Sequence, residues 1–188
     1  MDALALISNR VGAVNSNLHA MVDRARGVDW VTPVAPGTSP IGLTLWHVPR
    51  TVDWLVNTSI QGRPEVADDP EFAGLPDART YGFGTGLTPA EASTAAARVD
   101  PDLLLTYADT VHEGFEKWLG TLSADDLDRP AAGFDARQRT RPSYCTPAAL
   151  AEIEGLGQLP LGVLLMRPAV SHLLMHFGEL DVLIQMSG

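Results

Sequence analysis

The stretch SHLLMHFGELDV, residues 171–182, places two histidines inside a run of leucine, methionine, phenylalanine and valine. His172 and His176 are four residues apart, so on a helix they lie about 40° apart around the axis and one turn above each other. A buried imidazole costs free energy unless something satisfies its nitrogens. The pair therefore predicts either two core histidines with hydrogen-bond partners or two ligands of one ion, since this spacing suits metal binding.

Two further residues belong to this pattern. Glu179 follows His176 by three residues, and a carboxylate there could ligate the ion, act as a general base or orient an imidazole. Two histidines alone make a weak site, so we expect a third ligand from another helix. His47, in LTLWHVPRTVDW (43–54), is the best candidate, because the proline two residues later predicts a distorted helix beside it.

Apolar residues spaced three and four apart predict an all-α protein with four main helices. We expect these helices over 3–26, from a cap at Ser39 and Pro40 to about Ile60, from Asp100 and Pro101 to about Leu119, and over either 160–186 or 168–186. Irregular loops at 61–87 and 129–146 leave room for crossover connections. Residues 1–188 are expected to form one domain.

The composition limits the partners of the chain. Its 188 residues carry a net charge of −10, which argues against nucleic acid. Arg167, Pro168 and the two histidines interrupt the most apolar run, 159–177, so we expect no membrane span. The lone Cys145 excludes an intramolecular disulfide, and the first residues do not resemble a signal peptide, so we expect a cytoplasmic protein.

Arginines supply a candidate site for an anionic cofactor or substrate, because guanidinium groups bind carboxylates well. Four of them fall in one loop: Arg129, Arg137, Arg139 and Arg141. The alternative is a solvated loop that balances local aspartates. Arg50, three residues after His47, is a further candidate near the mouth of the site, or it pairs with Asp53. Trp46 and Trp54 are core residues or dimer-interface anchors.

Two segments, LWHVPRTVDWLVNTSIQG (45–62) and SHLLMHFGEL (171–180), resemble the DinB/YfiT-like four-helix-bundle superfamily. The resemblance follows the helix order over essentially the whole chain, and the SADDLD turn (123–128) is a softer match. It implies an up-down-down-up bundle with long crossover loops that often dimerises, with His47, His172 and His176 as metal ligands. Pro49 departs from the pattern, where a helix-favouring residue is expected.

Three imidazoles around a divalent ion leave positions open to water or substrate, as in catalytic sites. Zn²⁺ is the first choice, and imidazole also binds Ni²⁺ or Fe²⁺. The resemblance implies an enzyme that transfers a low-molecular-weight thiol, similar to mycothiol, to an electrophilic small molecule, or a thiol-dependent isomerase. Two other interpretations stay open: a non-catalytic, stress-related metal-binding or dimerisation bundle, and a metal-dependent hydrolase.

Overall fold

The protein is all-α over residues 2–187, the part of the chain that the computed structural model describes. Long helical segments dominate it: an N-terminal helix (Ala3–Ala25), a second helix (Ile41–Asp53) that continues as a π-helix (Trp54–Gln61), a middle helix (Pro101–Leu119) and a C-terminal helix (Leu161–Ser187). Among the described residues, β-structure is limited to an isolated bridge between Pro130 and Pro160.

Capping residues explain where these helices begin. Asp2 accepts a hydrogen bond from the backbone N–H of Ala5, and Asp100 accepts from the first turn of the middle helix. The expected Ser39 cap of the second helix is wrong. Pro40 is the cap residue, the helix starts at Ile41, and no side-chain cap bond forms because the proline ring carries no hydrogen-bond acceptor.

Both predicted loops contain short helical turns instead of being wholly irregular. In the first these are Val66–Asp68, Pro70–Phe72 and Ala78–Tyr81, and in the second Phe134–Arg137, Gln138–Thr140 and Pro142–Cys145. Two shorter helices, Pro89–Ala96 and Pro147–Ile153, link the long ones. The first begins with a capping box in which Thr88 and Glu91 exchange hydrogen bonds.

The long helices enclose a shared apolar core. The N-terminal helix packs on the middle and C-terminal helices, and the second helix contacts all three. From Ile41 to Asp53 every residue except His47 is buried, so the second helix runs through the interior. Trp46 and Trp54 are 0% and 2% exposed, which makes them core residues and removes them as candidate dimer contacts.

Side-chain contacts fix the direction of two helices. The N-terminal and middle helices are antiparallel, because contacts near the start of one reach the end of the other: Ser8 with Glu116, Asn15 with Asp109 and Arg26 with Asp102. The backbone N–H of Gly42 donates to the carbonyl of Trp30 at 2.9 Å, which ties the start of the second helix to the segment that follows the N-terminal helix.

The C-terminal helix is a single helical segment of 27 residues and is long and apolar enough to cross a membrane by length and composition. Of the two ranges that the sequence left open, 160–186 is close to the observed one, because the chain passes Arg167 and Pro168 through a π-helix at Arg167–His172. Of its most apolar window, 44% is buried against the rest of the protein, so its apolarity also serves the core. The cellular location stays a prediction.

Candidate metal centre

Three histidine side chains meet where the second and C-terminal helices pack together. The Nε2 atom of His172 lies 3.1 Å from Nε2 of His47 and 3.2 Å from Nε2 of His176. One ligand nitrogen from each ring falls within 4.8 Å of the other two. Nitrogens about 2.0–2.1 Å from a tetrahedral ion stand roughly 3.3 Å from each other, so the observed spacing is close to that of a metal ligand set.

The outer nitrogens of two rings fix which nitrogen carries the proton. Nδ1 of His47 donates to the backbone carbonyl of Phe83, and Nδ1 of His176 lies 2.9 Å from a carboxylate oxygen of Glu179. A neutral imidazole has one N–H, so these partners leave a lone pair on Nε2 of both rings. Both lone pairs point toward Nε2 of His172, which can donate to only one of them, and the Thr51 hydroxyl, 3.2 Å from Nε2 of His47, is a second donor within reach.

Burial favours the neutral form of His47 and His172. Removal from solvent lowers the pKa of His47 from 6.5 to about 3, and the neighbouring His176 and His172 add to the effect. Burial, and then the proximity of His176, also lowers the pKa of His172. Metals bind the neutral imidazole, so these environments favour the form that a cation needs.

Helix distortion accompanies both ligand segments. Pro49 stays within the second helix, which becomes a π-helix at Trp54, and the π-helix of the C-terminal helix ends at His172. Thr51, one turn after His47, donates its hydroxyl to the His47 carbonyl at 2.9 Å. Wide turns of this kind often occur at functional sites, and the one at Arg167–His172 allows Pro168 to remain within the C-terminal helix.

A cleft of about 350 Å³ opens onto the histidines. Its apolar wall includes Trp54 and Phe83, and its polar wall includes Thr51, Glu152 and Arg167. Both His47 and His172 line it. A bound ion would therefore face a space into which a small molecule fits.

Glu179 lies beside the cluster as an orienting residue. Its carboxylate contacts Nδ1 of His176, on the side of the ring away from the converging nitrogens. This is the position of the acceptors that fix metal-binding imidazoles in other proteins. The sequence left open whether Glu179 would be a ligand, a base or an orienting group, and this geometry favours the last.

Arg50 does not reach the cleft. Its guanidinium is fully buried and lies 3.0 Å from Asp53 and 2.9 Å from Glu65, so the alternative pairing with Asp53 is present. It also donates to the hydroxyls of Tyr107 and Tyr144. All of its donors are thus engaged inside the protein. Arg50 therefore has no free donor for the suggested contact with an anionic cofactor.

The loop arginines are divided between two surroundings. Arg137 and Arg141 line a separate cavity, which shares no lining residue with the histidine cleft, and Arg139 lines neither. Sequence reasoning missed Arg167 and Glu152, which do line the cleft. Arg167 precedes the His172–His176 pair on one helix, and this position is a signal that could have found it.

No family model matches this chain, and none of the curated proteins matches it. The interpretation of the three-histidine cluster as a candidate metal site therefore depends on its geometry alone. It is compatible with a divalent ion, and the imidazole donors suit Zn²⁺, Ni²⁺ or Fe²⁺ without selecting among them.

Proposed function

We propose that this protein is a divalent-metal-dependent enzyme related to the DinB/YfiT-like superfamily, with His47, His172 and His176 as ligands. The observation that carries the proposal is the meeting of three Nε2 atoms beside an open cleft. Two of the lone pairs are fixed by partners on Nδ1. One cation would accept all three Nε2 lone pairs at once, whereas hydrogen bonds alone depend on the single Nε2 proton of His172 and on the Thr51 hydroxyl, which lies 3.2 Å from Nε2 of His47.

The proposed architecture is the up-down-down-up four-helix bundle of that superfamily. The antiparallel pairing of the N-terminal and middle helices supports it. So does the bond from Gly42 to Trp30, which turns the second helix back along the first. An ion pair of 2.6 Å between Arg24 and Asp181 joins the C-terminal helix to the N-terminal helix.

The proposed reaction is transfer of a low-molecular-weight thiol to an electrophilic small molecule. A bound divalent ion would lower the pKa of the thiol and hold the thiolate. Glu179 keeps the His176 ring oriented. Arg167 is exposed and lines the cleft, so its guanidinium could hold a carboxylate on the electrophile. The apolar wall formed by Trp54 and Phe83 limits the access of water.

Assembly and location belong to the same proposal. We place the protein in the cytoplasm as a homodimer that acts on small molecules and not on nucleic acid. The C-terminal helix exposes Met175, Val182 and Met186 at 67%, 54% and 59%, which is apolar surface that a second copy could cover.

The metal assignment is tested by elemental analysis of purified protein. We expect one divalent ion per chain, and none in a variant with His47, His172 and His176 replaced by alanine. The control is the double variant His19→Ala/His112→Ala, which alters histidines outside the cluster. Circular dichroism should show both variants to be helical. Full metal retention by the triple variant would refute the assignment.

Activity is tested by following thiol consumption with a panel of electrophiles. We expect turnover that requires both the thiol and the metal. One ion per chain without turnover of any thiol would instead support a non-catalytic metal-binding bundle. Conversion of substrate without added thiol would indicate a hydrolase.

A further inference from the structure

A second cavity, of about 670 Å³, lies away from the histidine cleft and is lined by arginines. Four of the lining residues are Arg63, Arg79, Arg137 and Arg141. They come from two segments that are far apart in sequence, since the first two lie in the loop after the second helix and the others precede Pro147–Ile153. A chain with a net charge of −10 thus gathers one third of its 12 arginines at one cavity.

The local acids do not neutralise this cluster. Asp68 contacts Arg141 and lies 3.7 Å from Arg79, and Asp77 also interacts electrostatically with Arg79 and Arg141. Glu65 lies 3.7 Å from Arg141 but pairs more closely, at 2.9 Å, with the buried Arg50. Four guanidinium groups therefore face two carboxylates that are not already paired elsewhere.

Two of the arginines are held in place by the protein. Arg137 donates to the backbone carbonyls of Ser59 and Ile60, at the end of the π-helix. One terminal nitrogen of Arg141, Nη2, contacts Asp68, while the other, Nη1, is buried and has no hydrogen-bond partner among the described residues. A buried charged donor without a partner costs free energy, and an anionic oxygen in the cavity would satisfy it.

The other two arginines are free to move toward a ligand. Arg79 is 76% exposed, and Arg63, which also lines the cavity, is exposed as well. Both stand at the rim of a cavity whose floor holds fixed guanidinium groups. This combination of fixed and mobile cations is suited to capture of an anion that enters from solvent.

We propose that this cavity binds the terminal phosphoryl group of a small organic phosphate. A terminal phosphate carries close to two negative charges and three acceptor oxygens, which several guanidinium groups can share, whereas a carboxylate offers one charge and two oxygens. A nucleic-acid backbone is disfavoured because its phosphodiesters are singly charged and the rest of the protein is acidic. The cavity volume is in the range of small-molecule sites.

The test is isothermal titration calorimetry with inorganic phosphate and pyrophosphate in chloride buffer. Arg63→Gln/Arg79→Gln removes two rim cations and should weaken pyrophosphate binding about tenfold, the effect of two exposed charge-assisted contacts. The matched control is Arg129→Gln/Arg139→Gln, which changes the net charge equally at positions outside the cavity. We expect the control to bind within twofold of the unaltered protein.

Two results would overturn the proposal. One is an equal loss in both double variants, which would mean that binding responds only to overall charge. The other is the absence of binding by the unaltered protein at millimolar pyrophosphate. The triple histidine variant separates this site from the metal centre: it should keep its affinity for pyrophosphate, and a loss there would place the anion on a metal at the histidines.

Discussion

The clearest consequence of the histidine environment is a loss of stability of the metal-free protein in mild acid. The folded state holds His47 neutral with a pKa of about 3, whereas its ordinary value is 6.5. Below pH 6.5, His47 therefore binds a proton in the unfolded chain but not in the folded protein. The stabilising effect of the neutral ring is complete above that pH and is lost as the pH falls toward 3.

The size of the effect follows from the two pKa values. His47 has a pKa of 6.5 in the unfolded chain and about 3 in the folded protein. Once the unfolded chain is protonated, each further pH unit lowers the unfolding free energy by about 1.36 kcal/mol. Between pH 7 and pH 5 the loss is about 2 kcal/mol. Small domains have about 5–15 kcal/mol in total. The loss should therefore be visible as a lower urea midpoint at pH 5.

The matched substitution is His47→Asn, which keeps an N–H that can donate to the carbonyl of Phe83 but cannot titrate. We expect urea unfolding in the presence of a chelator to show a pH dependence about 2 kcal/mol smaller for this variant than for the unaltered protein between pH 7 and pH 5. His19→Asn, at a side chain that is 38% exposed, controls for loss of any histidine. An equal pH dependence for the His47→Asn variant and the unaltered protein would refute the burial of a neutral ring.

Two further substitutions address the residues around the cluster. Glu179→Ala should weaken metal affinity about 10–100-fold, the usual cost of losing an orienting acceptor, while Asp181→Ala, which removes an exposed ion pair on the same helix, should leave affinity unchanged; competition with a chelating dye measures both. Arg50→Leu should lower the unfolding free energy by about 3–5 kcal/mol, because Asp53 and Glu65 would remain buried without a counter-ion; a urea midpoint within error of the unaltered protein would contradict this.

The meeting of the three histidines was predictable in part from local signals. Helical spacing alone joins His172 and His176, and His47 was selected because Pro49 follows it by two residues. The ranges of the long helices were also predictable from the sequence, because apolar spacing and capping residues within the first turn are local signals. The continuous C-terminal helix was not settled, because a sequence does not show that a π-helix can accommodate Pro168.

Contacts between distant segments could not be predicted in this way. Nothing near Arg50 in the sequence indicates that Glu65, Tyr107 and Tyr144 converge on its guanidinium. The arginine cavity is a similar case. Arg137 and Arg141 were visible as neighbours in one loop, but Arg63 and Arg79 join them only through the fold of another. Charged residues give no periodic signal, so their grouping depends on tertiary packing.

The buried Arg50 and the candidate metal site contact the same loop, at Gly82 and Phe83. The stability of the protein is therefore linked to the orientation of His47. Arg50 donates to the carbonyl of Gly82 at 3.2 and 3.3 Å, and the next carbonyl, that of Phe83, accepts from His47. Gly82 has a positive φ of 61°, which a side chain would strain, and a Cβ there would meet Tyr144 at 3.2 Å. Arg50 therefore holds the loop in the conformation that presents the Phe83 carbonyl to His47. Through that carbonyl it keeps Nε2 of His47 directed at the other two histidines, so a residue with no access to the cleft supports the geometry of the candidate site.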